Sequence, residues 1–275
     1  MKFAVIGHPV AHSLSPAMHA ANFRALKLDH AYVKIDVAPE ALPTAVGRFV
    51  AEGYRGFNCT IPHKESVMPL LTRLDDSARL CGAVNTVRIE ADGTTTGFNT
   101  DAAGFRASLE GRVAWKGASV LLLGAGGAAK AVAVACLQAG AQVTLANRTR
   151  AKAETLAAFL QTRLGASVPV VDFAAAHPAG CDLVVNATSI GLRPTDAALF
   201  PAAAFRPGQV VCDIIPVVRE TATLAAARAA GATPVGGLGM LVHQGAEAFR
   251  IWTALAPDVA AMFAAIGVPG KSDSN

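Results

Sequence analysis

The chain has 275 residues, of which 52% are hydrophobic and 16% charged, a length and apolar content suited to two domains with sizeable cores. Its net charge of +4 is spread thinly, with no run of Lys and Arg long enough to follow a nucleic-acid backbone. That excludes a nucleic-acid partner and suits anionic small molecules.

The five cysteines (Cys59, Cys81, Cys136, Cys181, Cys212) form no C-x-x-C pair. Reduced, buried thiols and a cytoplasmic protein are expected. The apolar start is cut at His8-Pro9, too early for a signal peptide. The most apolar stretch, residues 118–146, is interrupted by Lys130, Gln138 and several glycines. It falls short of the roughly 20 apolar residues that a membrane span needs.

In chain order, residues 3–6 read as a buried strand. A helix follows over 16–26, with Ser15 as N-cap and Pro16 at the first helical position. Residues 30–37 read as a strand, 38–51 as a helix and 56–59 as a strand. Strands 84–89 and 94–98 flank Asp92-Gly93, a two-residue hairpin signal. Beyond Asp101 the pattern changes. Strand 118–123, a helix from about 126, strand 142–146, helix 150–164 and strand 168–171 alternate, followed by strands 183–185 and 209–212 and a helix ending at 230. This alternation predicts a parallel sheet covered on both faces. A last helical stretch, from 240 to 255 and beyond Pro257, is free to return to the first domain, and the polar tail 270–275 is expected to fray. The fold class is therefore α/β in two domains, with a Rossmann-type, doubly wound second domain.

Gly124-Ala125-Gly126-Gly127-Ala128-Ala129 fits G-x-G-x-x-A directly after a strand and opening a helix. Such a turn lets the backbone approach a pyrophosphate, which the free N–H groups of the helix start then bind. NAD enzymes carry an acid about 20 residues further on. Here that position reads Asn147-Arg148-Thr149-Arg150, with Lys152 close by. A guanidinium there suits the 2′-phosphate of NADP.

The first domain gathers polar residues at turns: His12-Ser13-Leu14-Ser15-Pro16, Asn58-Cys59-Thr60-Ile61-Pro62-His63-Lys64, Gly82-Ala83-Val84-Asn85-Thr86 and Asn99-Thr100-Asp101. Each can be a cap or turn residue. Together they suit a hydroxylated acid, with Asn58 among the candidate binding groups. Reduction of a ketone by a nicotinamide requires a proton at the carbonyl oxygen, and a lysine beside a carboxylate can deliver it. Lys64 is the candidate acid/base and Asp101 its partner. No metal is expected: His8 and His12 are four apart, but Pro9 intervenes and no H-E-x-x-H follows.

These motifs, with Asn186-Ala-Thr-Ser-x-Gly191 and Gly237-Leu-Gly-Met-Leu-Val-x-Gln244, resemble those of shikimate dehydrogenases in order along nearly the whole chain. The resemblance implies NADP-dependent, reversible reduction of 3-dehydroshikimate to shikimate, in a cleft between the domains of a monomer or homodimer. It implies a discontinuous substrate domain, residues 1–102 completed by C-terminal helices 239–275, and a cofactor domain over 103–238. It implies that Ser13 and Ser15 bind the substrate carboxylate, and that Thr60, Asn85, Asp101 and Gln244 bind its hydroxyls. The cofactor would meet Gly124, Ala125, Gly126, Gly127, Ala128, Asn147, Arg148, Thr149, Lys152, Thr188 and Ile214, with Gly237 and Met240 near the nicotinamide.

One departure stands out. The family reads Asp-x-x-Tyr-x-Pro-x-x-Thr after its last cofactor-domain strand, the tyrosine touching substrate. Here Pro216 and Val218 replace the tyrosine and the proline. Two further readings stay open: a quinate/shikimate dehydrogenase with relaxed substrate or cofactor choice, and a non-catalytic sensor of shikimate-type ligands. The intact Lys64 and Asp101 argue against the sensor.

Overall fold

A computed structural model describes residues 1–267. The tail 270–275 and the end of the segment 239–275 lie outside the described residues. The chain separates into two compact units, Met1–Gly104 with the described residues from Leu241 onward, and Phe105–Met240. Among the described residues each unit is built on a six-stranded sheet.

The first unit contains β1 (Lys2–Gly7), α1 (Ser15–Ala25), β2 (Ala31–Asp36), α2 (Leu42–Ala51), β3 (Tyr54–Cys59) and α3 (His63–Ser66). β4 (Arg73–Leu74), α4 (Asp76–Cys81), β5 (Thr86–Ile89), β6 (Thr95–Phe98) and the start of α5 (Asp101–Ser108) follow. Its sheet runs β2-β1-β3-β5-β6-β4. β1 pairs in parallel with β2 and β3, while β3–β5 and β5–β6 are antiparallel. One apolar cluster, including Ile6, Phe49, Phe57 and Val87, lies on one face, and Phe3, Phe23, Phe249 and Trp252 form another.

Local chemistry corrects three expectations. Ser15 is the first residue of α1, not its cap: Leu14 occupies the cap position and no side chain caps the helix. The Ser15 amide instead donates to Ser13 Oγ at 3.3 Å. The hairpin turn has three residues, Ala91-Asp92-Gly93, closed by Glu90 N–H to Thr94 O at 2.9 Å. Only Gly93 takes a positive φ, +84°, whereas the two-residue turn needs two such residues. Helix α2 starts four residues later than expected, after a short turn at Pro39–Ala41, with Pro43 in its first turn.

The second unit contains β7 (Ser119–Leu123), α6 (Gly127–Gln138), β8 (Gln142–Asn147), α7 (Arg150–Leu164), β9 (Val170–Asp172) and β10 (Leu183–Asn186). β11 (Val210–Asp213), α8 (Ala222–Ala229) and β12 (Thr233–Gly236) complete it. All neighbours are parallel in the order β12-β11-β10-β7-β8-β9, the doubly wound arrangement of dinucleotide-binding folds. The sequence pattern missed β12 because Pro234 lies within it. At the sheet's edge its missing N–H breaks no ladder.

The chain leaves this unit through α9 (Leu238–Thr253) and ends its described part in α10 (Val259–Ala264). The later turns of α9 belong to the first unit. There Trp252 donates its indole N–H to Val87 O at 2.9 Å. Gly56 makes this possible, since a Cβ at that position would collide with the indole ring.

Candidate active site

In the first unit the candidate residues meet where β3 and β6 end and β5 begins. Lys64 is on α3 and donates from Nζ to Asp101 Oδ2 at 2.5 Å, with side chains 18% and 7% exposed. Asp101 opens α5, but its carboxylate caps nothing. Its own amide donates to Asn99 Oδ1, and its Oδ1 accepts from Asn85 Nδ2 at 2.8 Å. The second Asn85 amide hydrogen goes to Thr100 Oγ1, 2.9 Å away, while Asn85 Oδ1 accepts from Thr100 N at 2.8 Å. That backbone donor fixes which way the carboxamide faces. Gln244 on α9 brings Oε1 to 3.3 Å from Asn85 Nδ2.

Beneath this group lies a second layer that the sequence did not disclose. The buried Tyr32 hydroxyl donates to Asn58 Oδ1 at 2.6 Å. Asn58 Nδ2 donates to Asn85 O and to Thr86 Oγ1, each at 3.0 Å, and the Thr86 hydroxyl donates to Asn85 Oδ1. Asn58 thus spends both amide hydrogens on the framework, and its place is under the site. Burial pushes the Tyr32 phenol upward, while the neighbouring Ser15 hydroxyl acts in the opposite sense. His19 stacks on Tyr32, with ring centroids 4.3 Å apart. No sequence signal marked Tyr32, because a tyrosine in a strand reads as ordinary core.

Ser13, Thr60 and Lys64 keep hydrogen-bonding capacity that the described residues leave unused. Ser13 Oγ accepts only from Ser15 N, the Thr60 hydroxyl has no hydrogen bond among the described residues, and Lys64 uses one of its three N–H bonds. Cys59 and Cys81 lie close enough to feel the Lys64 charge, but burial pushes both thiols up, Cys81 to about 12. They are not nucleophiles at neutral pH. His8 pairs with Asp36 at 2.6 Å, and no group of three His, Cys, Asp or Glu suited to a metal occurs among the described residues.

In the second unit the glycine-rich turn lies where β7 ends. Gly124 has φ +115°, and a Cβ there would sit 2.6 Å from Ala187 O. This close approach joins the turn to the loop after β10. Cβ atoms at Gly126 and Gly127 would meet nothing within 4 Å, and no side chain caps α6. The helix start is therefore open, with its N–H groups available to a phosphate. Ala125 and Ala128 are half-buried beside it.

At the end of β8, Asn147 Nδ2 donates to Thr149 O at 2.8 Å. Arg150 is occupied by Asp172 and Glu154, at 2.6 and 2.8 Å. Arg148 is exposed and has no such partner among the described residues, and Thr149 and Lys152 are exposed next to it. The acid that would favour an unphosphorylated ribose is absent, and the free guanidinium fits a 2′-phosphate.

Thr188 is held by Asn186, whose Oδ1 accepts from its amide at 3.0 Å and its hydroxyl at 2.7 Å. Ile214 continues β11, and a Cβ at Gly237 would collide with the Ile214 backbone. Met240 is buried in the first turn of α9. Asp213 is fully buried, and its carboxyl is held above the ordinary range by burial despite a 2.8 Å bond from Thr221 Oγ1.

Three stretches match family models: residues 5–87 the shikimate dehydrogenase substrate binding domain, 107–193 shikimate / quinate 5-dehydrogenase, and 237–266 the shikimate 5′-dehydrogenase C-terminal domain. A shikimate dehydrogenase (NADP(+)) of Rubrobacter xylanophilus is 48% identical, covering 97% of this chain and 95% of its own. The chain belongs to the shikimate dehydrogenase family. A crystal structure of a shikimate dehydrogenase in complex with NADP+ superposes with a TM-score of 0.92 at 40% identity, covering 96% of this chain and 94% of the other. That of the Thermus thermophilus enzyme, in complex with NADP(H) and shikimate, gives 0.87 at 41%, covering 97% and 98%.

Against the shikimate dehydrogenase pattern, the departure at Pro216 falls in the loop after β11. Pro216 is exposed, and Val217 N–H closes a turn onto Ile215 O at 2.9 Å. Val218 is also exposed, so neither replacement contributes to the core.

Proposed function

We propose that this chain is an NADP-dependent shikimate dehydrogenase, catalysing the reversible reduction of 3-dehydroshikimate to shikimate. The observation that carries the reading is the Lys64–Asp101 pair, set among amide and hydroxyl groups in a chain 48% identical to a shikimate dehydrogenase (NADP(+)).

NADPH, when bound, supplies a hydride to the ketone carbon. Charge then develops on the carbonyl oxygen, and the Lys64 ammonium stabilises it and gives up a proton to it. Asp101 orients that ammonium. Asn85 in turn steadies Asp101 by donating to its other oxygen, so the carboxylate accepts from two directions. In the oxidative direction Lys64 takes the proton back from the shikimate hydroxyl. Ser13 and Ser15 are assigned to the substrate carboxylate, and Thr60, Asn85 and Gln244 to its hydroxyls. Asn58 is assigned to support Asn85 from below.

For the cofactor, Gly124, Ala125, Gly126, Gly127 and Ala128 would hold the pyrophosphate. Asn147, Arg148, Thr149 and Lys152 would hold the adenosine ribose and its 2′-phosphate. Gly237 and Met240 are assigned to the nicotinamide end, and Thr188 and Ile214 to the cofactor. A cytoplasmic location belongs to the same proposal and is supported by five free thiols. No helix among the described residues is long and apolar enough to cross a membrane.

The test is a panel of shikimate and quinate crossed with NADP and NAD, followed by absorbance of the reduced cofactor. The largest kcat/KM is expected for shikimate with NADP. No turnover with any pair would remove the assignment.

A further inference from the structure

The loop after β10 is anchored by apolar side chains in its later part, where Leu199, Phe200 and Phe205 join the core. Leu192 is 56% exposed, as is Val218 at 65% in the facing loop after β11. What fixes the first part of the loop, around Gly191, is polar. The Gly191 peptide is gripped from both sides: its N–H donates to Asp196 Oδ2 at 2.8 Å, and its carbonyl accepts from Arg219 Nη2 at 2.5 Å. The same Nη2 donates to Leu192 O at 3.0 Å. Gly191 sits at φ +108°, where an added Cβ would lie 3.2 Å from Ile215 Cδ1 and 3.3 Å from Asp213 Oδ2. The backbone therefore passes tightly over the loop that carries Arg219.

From Gly191 the constraint runs back to the glycine-rich turn. Ile190 N–H donates to Thr188 Oγ1, and Asn186 Nδ2 donates to Ile190 O. The preceding residue, Ala187, lies directly against Gly124. We propose that Arg219 is a positioning residue for the dinucleotide: by clamping the carbonyls of Gly191 and Leu192 it holds Thr188 and Ala187 against the Gly124 turn. The loop bearing Arg219 is the one in which Pro216 and Val218 depart from the family pattern, so the clamp supplies order that the exposed replacements do not. This rests on the assignment of the Gly124 turn and Thr188 to NADP.

The test compares the full-length chain with Arg219→Ala and Arg219→Lys by calorimetric titration with NADP and, separately, with shikimate, alongside thermal melting. Arg219→Ala is expected to weaken NADP binding about tenfold, the scale of losing charge-assisted hydrogen bonds, with shikimate affinity held within about twofold. Arg219→Lys should recover much of the loss, because an ammonium can also donate to two carbonyls. Unchanged NADP affinity in a folded Arg219→Ala protein overturns the proposal, as does equal weakening for both ligands. Should Arg219→Ala not fold, the lysine variant and Arg219→Gln give the same comparison. The readout is binding, so a failure of shikimate turnover would count against the proposed activity alone.

Discussion

Lys64 and Asp101 are 37 positions apart, on the first turns of two different helices, yet one hydrogen bond of 2.5 Å joins them. The pairing depends on α3 and α5 both starting where strands of the same sheet end. It leaves an ammonium with two unused donors beside a carboxylate that is already committed.

Lys64→Ala should lower kcat by about 10²–10⁴-fold, the range for loss of a general acid/base. The dissociation constant for NADP should be unchanged, because the residues assigned to the cofactor belong to the second unit. Steady-state kinetics with a separate NADP titration checks this. Near-normal turnover in the variant would end the assignment.

Arg148→Ala should raise KM for NADP by about tenfold or more, the scale of hydrogen bonds to a charged group, while KM for NAD changes little. Only Arg148 is expected to behave this way, because Arg150 is already held by Asp172 and Glu154. Equal changes for the two cofactors would show that no 2′-phosphate contact is made there.

His19 predicts a pH dependence of stability. It is fully buried with neither ring nitrogen paired among the described residues, and burial lowers its pKa from 6.5 to about 3. Between these values the unfolded chain binds a proton that the folded chain refuses. Stability is thus fully present above pH 6.5 and declines as pH falls towards 3. His19→Phe, which keeps an aromatic ring against Tyr32, should flatten the acid side of the stability curve. The carboxylates held below their ordinary range, such as Asp36 and Asp182, act only lower, from 3.8 downward. Urea denaturation at about pH 7 and about pH 5, on either side of the unfolded histidine's titration, checks this. An unchanged difference between the two conditions in the variant would refute it.

Gly104→Ala should displace Gln244. A Cβ at position 104 would lie 2.6 Å from the Gln244 amide nitrogen and 2.9 Å from its Cα, so a backbone must move. Overpacking of this kind costs about 1–3 kcal/mol. It should also draw the Gln244 carboxamide away from Asn85 and raise KM for shikimate. A variant with wild-type melting temperature and KM would show that the helices adjust without consequence.

What was legible in the amino-acid order was what is local. The glycine turn after an apolar strand and the alternation of strand and helix beyond residue 118 depend on backbone permissiveness and on periodicity within a few residues. So does the missing acid after β8. The clustering of Ser13, Thr60, Lys64, Asn85 and Asp101 at turns could likewise be read from the sequence, as could their family pattern.

Tertiary structure alone decided which of these groups are free and which are spent. Asn58 and Thr60 stand two positions apart in one polar turn, but Tyr32, brought from another strand, takes the Asn58 oxygen and makes it framework, while the Thr60 hydroxyl has no hydrogen bond among the described residues. Arg148 and Arg150 are two residues apart, yet β9 supplies Asp172 to one of them only. Hydrogen-bond capacity is consumed by neighbours distant in the chain, so a side chain's availability is set by packing and cannot be deduced from its own type or spacing.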